Sequence, residues 1–177
     1  VEIVNEGTRR LDNVRVEVDP PLQWTERIEP EVIPALDINE LPFPDFGIFE
    51  ERSLYRPMQG RVYKTIGLET QRGCPYTCAF CNSPANNNLY KEESAGRFHR
   101  KKSVKRVHEE LAYLVKNFGP EFIYFVVDTF LAVSDDELEE FTDMYDDYKI
   151  PFWMNTRAET VNEWRGEQLE RMNMLRM

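Results

Sequence analysis

The chain has 177 residues, enough for one domain or little more around a packed core. Its 22 Lys and Arg against 32 Asp and Glu leave a net charge of −10, which argues against a general nucleic-acid or membrane-surface binder, whose field would be positive. The longest uninterrupted apolar run, Phe122 to Val127, is far too short to span a bilayer.

Residues 1–50 differ in character from the rest. Two near-alternating runs, Val1 to Leu11 and Val14 to Val18, with turn signals at Asn5, Gly7 and Asn13, predict a short hairpin. Six of the 11 prolines then fall between Pro20 and Pro44, which predicts an extended segment and excludes a helix there. This stretch is expected to be a linker with local docking points.

From Val62 onward the pattern repeats as strand, loop and helix. Val62 to Leu68 is a predicted strand. Ser103 caps a predicted helix with Val104, Val107, Leu111, Leu114, Val115 and Phe118 on one face, ended by Gly119-Pro120. Phe122 to Val127 is apolar, β-branched and aromatic, as a buried parallel strand requires. Ser134-Asp-Asp-Glu137 is a capping box opening a second helix, with Leu138, Phe141, Met144, Tyr145 and Tyr148 inward. Ile150 to Met154 is a third strand with Pro151 near its start, and a third helix opens near Asn162 or Glu163. Strands alternating with helices predict βαβ units on a parallel sheet.

All three cysteines fall within Gly73-Cys74-Pro75-Tyr76-Thr77-Cys78-Ala79-Phe80-Cys81, at C-x3-C-x2-C spacing, on the predicted loop after the first strand. Gly73 and Pro75 favour a loop, and thiolates this close are soft ligands suited to an iron–sulfur cluster or zinc. A four-cysteine cluster would need a fourth Cys, so one iron would stay open. Zinc held by the three cysteines and His99 or His108, as in a small interaction module, is the rival from another class. Clustered reduced thiols predict a cytoplasmic protein.

The run Glu69 to Asn82 resembles the cluster loop of radical S-adenosylmethionine (SAM) enzymes, including an aromatic, Phe80, just before the third Cys. Asp37 to Asp45 resembles the connector that precedes the radical core in members with an N-terminal cobalamin-binding domain. The resemblance implies a 4Fe–4S cluster on Cys74, Cys78 and Cys81, SAM on the open iron, and cleavage to a 5′-deoxyadenosyl radical or cobalamin-dependent radical methylation. Cobalamin would sit in a domain largely outside this chain. A flavodoxin- or ferredoxin-type electron donor and a small-molecule substrate are expected partners. The fold implied is a partial (β/α)6 barrel, of which about the first three β/α units lie in 51–177, with 1–50 as linker or the end of an upstream domain. A methylthiotransferase-like enzyme acting on RNA is the alternative within that family.

In parallel barrels chemistry sits at the C-terminal ends of the strands, which selects the cysteine loop, Asp128 and Thr129 after strand two, and Asn155, Thr156 and Arg157 after strand three. By the resemblance, Asp128 receives the SAM amino group, with Thr129 beside it, and Phe80 lies near the adenine. Arg157 suits the SAM carboxylate through a bidentate guanidinium, while Asn155 is the weaker candidate. No catalytic residue is singled out. The basic run Lys91 to Arg106 is expected to be the solvated entry to a helix, and the acids from Asp135 to Asp147 an exposed helix face.

Overall fold

A computed structural model describes residues 2–5, 14–17 and 35–175. The chain divides into two compact units, Val1–Glu31 and Val32–Met177. In the first, strands β1 (Glu2–Asn5) and β2 (Val14–Glu17) pair antiparallel, with Glu2 opposite Glu17, which is the expected hairpin. The proline stretch from Pro20 to Pro34 lies outside the described residues.

The second unit is built on a four-stranded sheet in the order β3-β4-β7-β8. Its strands are β3 (Tyr55–Met58), β4 (Arg61–Leu68), β7 (Phe122–Phe125) and β8 (Phe152–Met154). A two-stranded ribbon of β5 (Gln71–Arg72) and β6 (Arg100–Lys101) stands apart from that sheet. Four helices complete the unit: α1 (Ser83–Glu92), α2 (Val104–Phe118), α3 (Asp135–Tyr145) and α4 (Glu163–Arg171).

Strands β4, β7 and β8 run parallel, with α2 and α3 as the intervening crossovers. The strand interiors alternate as the pleat demands. Ile66, Leu68, Ile123, Phe125 and Phe152 are buried in one core with Val107, Leu111 and Leu114 of α2, Leu138, Phe141 and Tyr145 of α3, and Leu169 of α4. Each such side chain contributes about 1.5–3 kcal/mol through apolar burial, so the core outweighs any single surface contact. The helix ends obey their local chemistry. Ser103 accepts from Arg106 N, Gly119 takes the left-handed conformation at φ 56°, and Ser134 with Glu137 forms the reciprocal capping box. Asn162 caps α4.

The expected partial (β/α)6 barrel does not form. The sheet is open, mixed and Rossmann-like, and the physical reason lies at the turn before β4. Gln59 and Gly60 both have positive φ, 47° and 77°, the pattern of a tight hairpin turn, so β3 returns antiparallel along β4. The outer edge of β4 therefore carries a strand of opposite sense rather than another parallel unit.

In the basic run from Lys91 to Arg106, Lys91, Arg97 and Lys105 are exposed, as expected of a solvated entry to a helix, whereas Arg100 and Arg106 are engaged. Arg100 donates to the carbonyl of Leu36, and Arg106 donates to the carbonyl of Leu41 while lying 4.1 Å over the ring of Phe43. These cations pin the segment from Ala35 to Phe43 onto the α2 side of the unit.

Candidate functional site

The carboxyl ends of the three parallel strands lie level, because Leu68 pairs with Phe125 and Phe125 with Met154. The loops that leave this edge are the cysteine loop, the segment from Val126 to Val133, and the segment from Asn155 to Val161. They are stitched together directly. Phe130 N donates to the carbonyl of Asn155 at 2.8 Å, and Leu131 N donates to Thr156 Oγ1 at 3.3 Å.

The cysteine loop starts where only glycine fits. Gly73 has φ 80°, and a Cβ there would lie 2.5 Å from the Phe98 carbonyl oxygen. The loop ends where Pro84 opens α1, a position at which proline costs no hydrogen bond.

The three thiols face different partners. Cys74 Sγ lies 3.7 Å from Thr129 Oγ1. Cys78 Sγ accepts a hydrogen bond from Arg157 Nη1 at 2.5 Å. Cys81 Sγ accepts from Ser83 N at 3.4 Å, and its hydrogen bonds from Ser83 hold the thiol below its usual range. Among the described residues no group of three His, Cys, Asp or Glu side chains is placed to hold a metal ion. The expected iron–sulfur ligation by Cys74, Cys78 and Cys81 is corrected on this geometry, and the same holds for the zinc alternative.

The other expected residues do gather at this edge. Asp128 is exposed at the end of β7 and has no ion-pair partner among the described residues, whereas Thr129 beside it is buried. Phe80 projects its ring at 94% exposure, so it is no cover for its loop. Asn155 Nδ2 donates to Tyr124 Oη at 3.3 Å. Arg157 is the most connected of the group. It donates to Cys78 and to Glu159, and its guanidinium carbon lies 4.4 Å over the Tyr76 ring. The carboxylate of Glu159, more than any other neighbour, holds the Arg157 guanidinium above its usual range.

A curated relative is an uncharacterized methyltransferase of Pyrococcus horikoshii. It is 33% identical over 129 residues, which is 70% of this chain but 22% of the relative. The chain thus spans about a fifth of the relative's length. No family model matches the chain, and no solved structure matches it. The similarity is to a protein named as a methyltransferase, an enzyme of methyl transfer. Together with the open sheet and the dispersed thiols, this overturns the radical SAM expectation, including its cobalamin-linked branch, the methylthiotransferase alternative and the iron–sulfur chemistry. No helix among the described residues is long and apolar enough to cross a membrane.

One participant escaped sequence reasoning, and a second, His99, stands in a different role from the zinc ligation considered for it. Tyr76 is the platform under Arg157, and no periodicity marks it. His99 reaches the site's flank through Gln71. Gln71 Nε2 donates to the Phe130 carbonyl at 2.8 Å, so Oε1 faces His99 Nε2 at 2.9 Å and must accept from it. Burial, then the charge of Lys101, holds the imidazole below its ordinary range, against the opposing pull of Glu137 and Asp128. The signal that could have found this pair is Gln71 itself, a polar residue two positions before the glycine that shapes the loop.

Proposed function

We propose that the unit binds SAM against the loops at the carboxyl edge of the sheet and serves methyl transfer to a small molecule. What supports this most is the pairing of an unneutralised Asp128 with the engaged cation Arg157 on neighbouring strand ends. Ligands of open α/β sheets bind outside the carboxyl ends of their strands, and one carboxylate with one guanidinium there matches the two charges of a zwitterionic amino-acid moiety. The similarity to a methyltransferase points to the same cofactor class.

The residues present fit that group. Asp128 is the acceptor for an ammonium and for nearby sulfonium charge, Arg157 the donor to a carboxylate, and the exposed Phe80 ring a stacking surface for a purine. Thr129 and Asn155 hold the flanking loops in position through their own contacts. When bound, SAM supplies an electrophilic methyl group. A nucleophile's lone pair would take that methyl group with the thioether as leaving group, a transfer without net redox change. The protein's work is alignment, since correct placement of the reacting atoms supplies much of the barrier reduction in such a step.

Isothermal titration with SAM tests this. Asp128→Asn is expected to weaken binding about tenfold, the loss of one charge-assisted contact. Unchanged affinity in Asp128→Asn, or no binding to the wild-type chain, would sink the proposal.

A further inference from the structure

The face of the sheet opposite the buried core carries a second feature, apart from the loops at the carboxyl edge. Thr65, Gly67, Tyr124, Val126 and Trp153 line an open trough of about 690 Å³, closed on one side by Phe46 and Phe49. That volume lies in the range of small-molecule sites. Its floor is flat, because Tyr124 and Trp153 stack with centroids 5.1 Å apart and planes 28° from parallel. Gly67 leaves the space above β4 empty, and a Cβ there would meet Val126 at 3.1 Å. Val126, just past the end of β7, is 46% exposed.

Two polar groups converge on this apolar surface. Tyr124 Oη accepts from Asn155, which leaves its own proton free to donate. Arg56 of β3 lines the trough as a cation without an ion-pair partner among the described residues. We infer that the trough binds a planar aromatic molecule bearing an anionic substituent, with the ring on Tyr124 and Trp153 and the anion at Arg56. Asn155 joins the trough to the carboxyl edge, so this ligand is the methyl acceptor; that assignment rests on the methyl-transfer reading, while the binding itself does not.

The probes are 1-naphthoate and its neutral analogue 1-naphthylmethanol, titrated calorimetrically into the 177-residue chain. Saturable one-to-one binding of both is expected, with Arg56→Ala weakening naphthoate about fivefold and leaving the alcohol unchanged. Gly67→Val fills the trough and is expected to weaken both about tenfold. Should that variant misfold, Trp153→Leu removes the platform while keeping an apolar side chain and gives the same direction. Absence of saturable binding, or equal affinities across these variants, overturns the inference. So does a concentration-dependent dimer in sedimentation that Val126→Glu abolishes, since a second copy would then be the occupant. SAM binding measured alongside separates the two proposals: its loss with naphthoate binding intact sinks the methyl-transfer reading alone.

Discussion

Arg157 illustrates how much one side chain carries at this edge. It ties the cysteine loop, through Cys78 and Tyr76, to the end of β8, so its removal should loosen the loop as well as weaken an anion contact. His99 makes a separable prediction. Its pKa is depressed from an ordinary value of 6.5, so the folded state favours the neutral ring. The unfolded chain takes up its proton first as pH falls, and stability contributed by His99 is full above 6.5 and lost progressively below it. Denaturation midpoints should fall on acidification from pH 7 to 5.5, and His99→Gln should flatten that slope; an unchanged slope would remove His99 as its source. The pair Lys102–Glu110 is a third case. At 2.7 Å, with side chains 6% and 2% exposed, it is a buried ion pair. Lys102→Met alone should cost about 3–5 kcal/mol by stranding Glu110, whereas Lys102→Met with Glu110→Leu should recover most of it, as read by urea unfolding.

At the scale of elements, each helix with a strong cap and a continuous apolar stripe was legible in the sequence. Ser103, Gly119 and the Ser134–Glu137 box stand where their chemistry required. Ser134→Ala should therefore destabilise the protein by about 1 kcal/mol, with Ser134→Asp nearly neutral; a cost for both would point to a role beyond capping. The strands at Phe122 and Phe152 were equally legible from their apolar runs. What was not legible depended on turns and on distant contacts. Strand β3 is mostly polar or exposed and is defined by the positive φ of Gln59 and Gly60, which composition did not flag. Helix α1 has a weak apolar stripe, and its sign was only Pro84. The basic run read as solvated because nothing local reveals that Arg100 and Arg106 have carbonyl partners more than sixty residues away.

For the molecule as a whole, the candidate site was legible as a set of positions and not as a chemistry. The rule that loops after parallel strands carry function brought Phe80, Asp128, Thr129, Asn155 and Arg157 to one edge. The cysteine spacing suggested a shared metal centre, yet spacing fixes only how far three thiols lie apart along the chain. Their directions are set by Thr129, Arg157 and Ser83, each brought from elsewhere by the fold or by the start of α1. The barrel expectation failed for a similar reason: alternating strands and helices are shared by closed barrels and open sheets, and the distinction rests on edge pairing.

The central claim is that SAM sits against the three loops at the carboxyl edge. Hydrogen–deuterium exchange of the chain with and without SAM tests it most directly. Slowed exchange is expected in residues 73–81, 127–131 and 155–160, with the trough strands little changed. Protection confined to other segments, or no protection at saturating SAM, would contradict it.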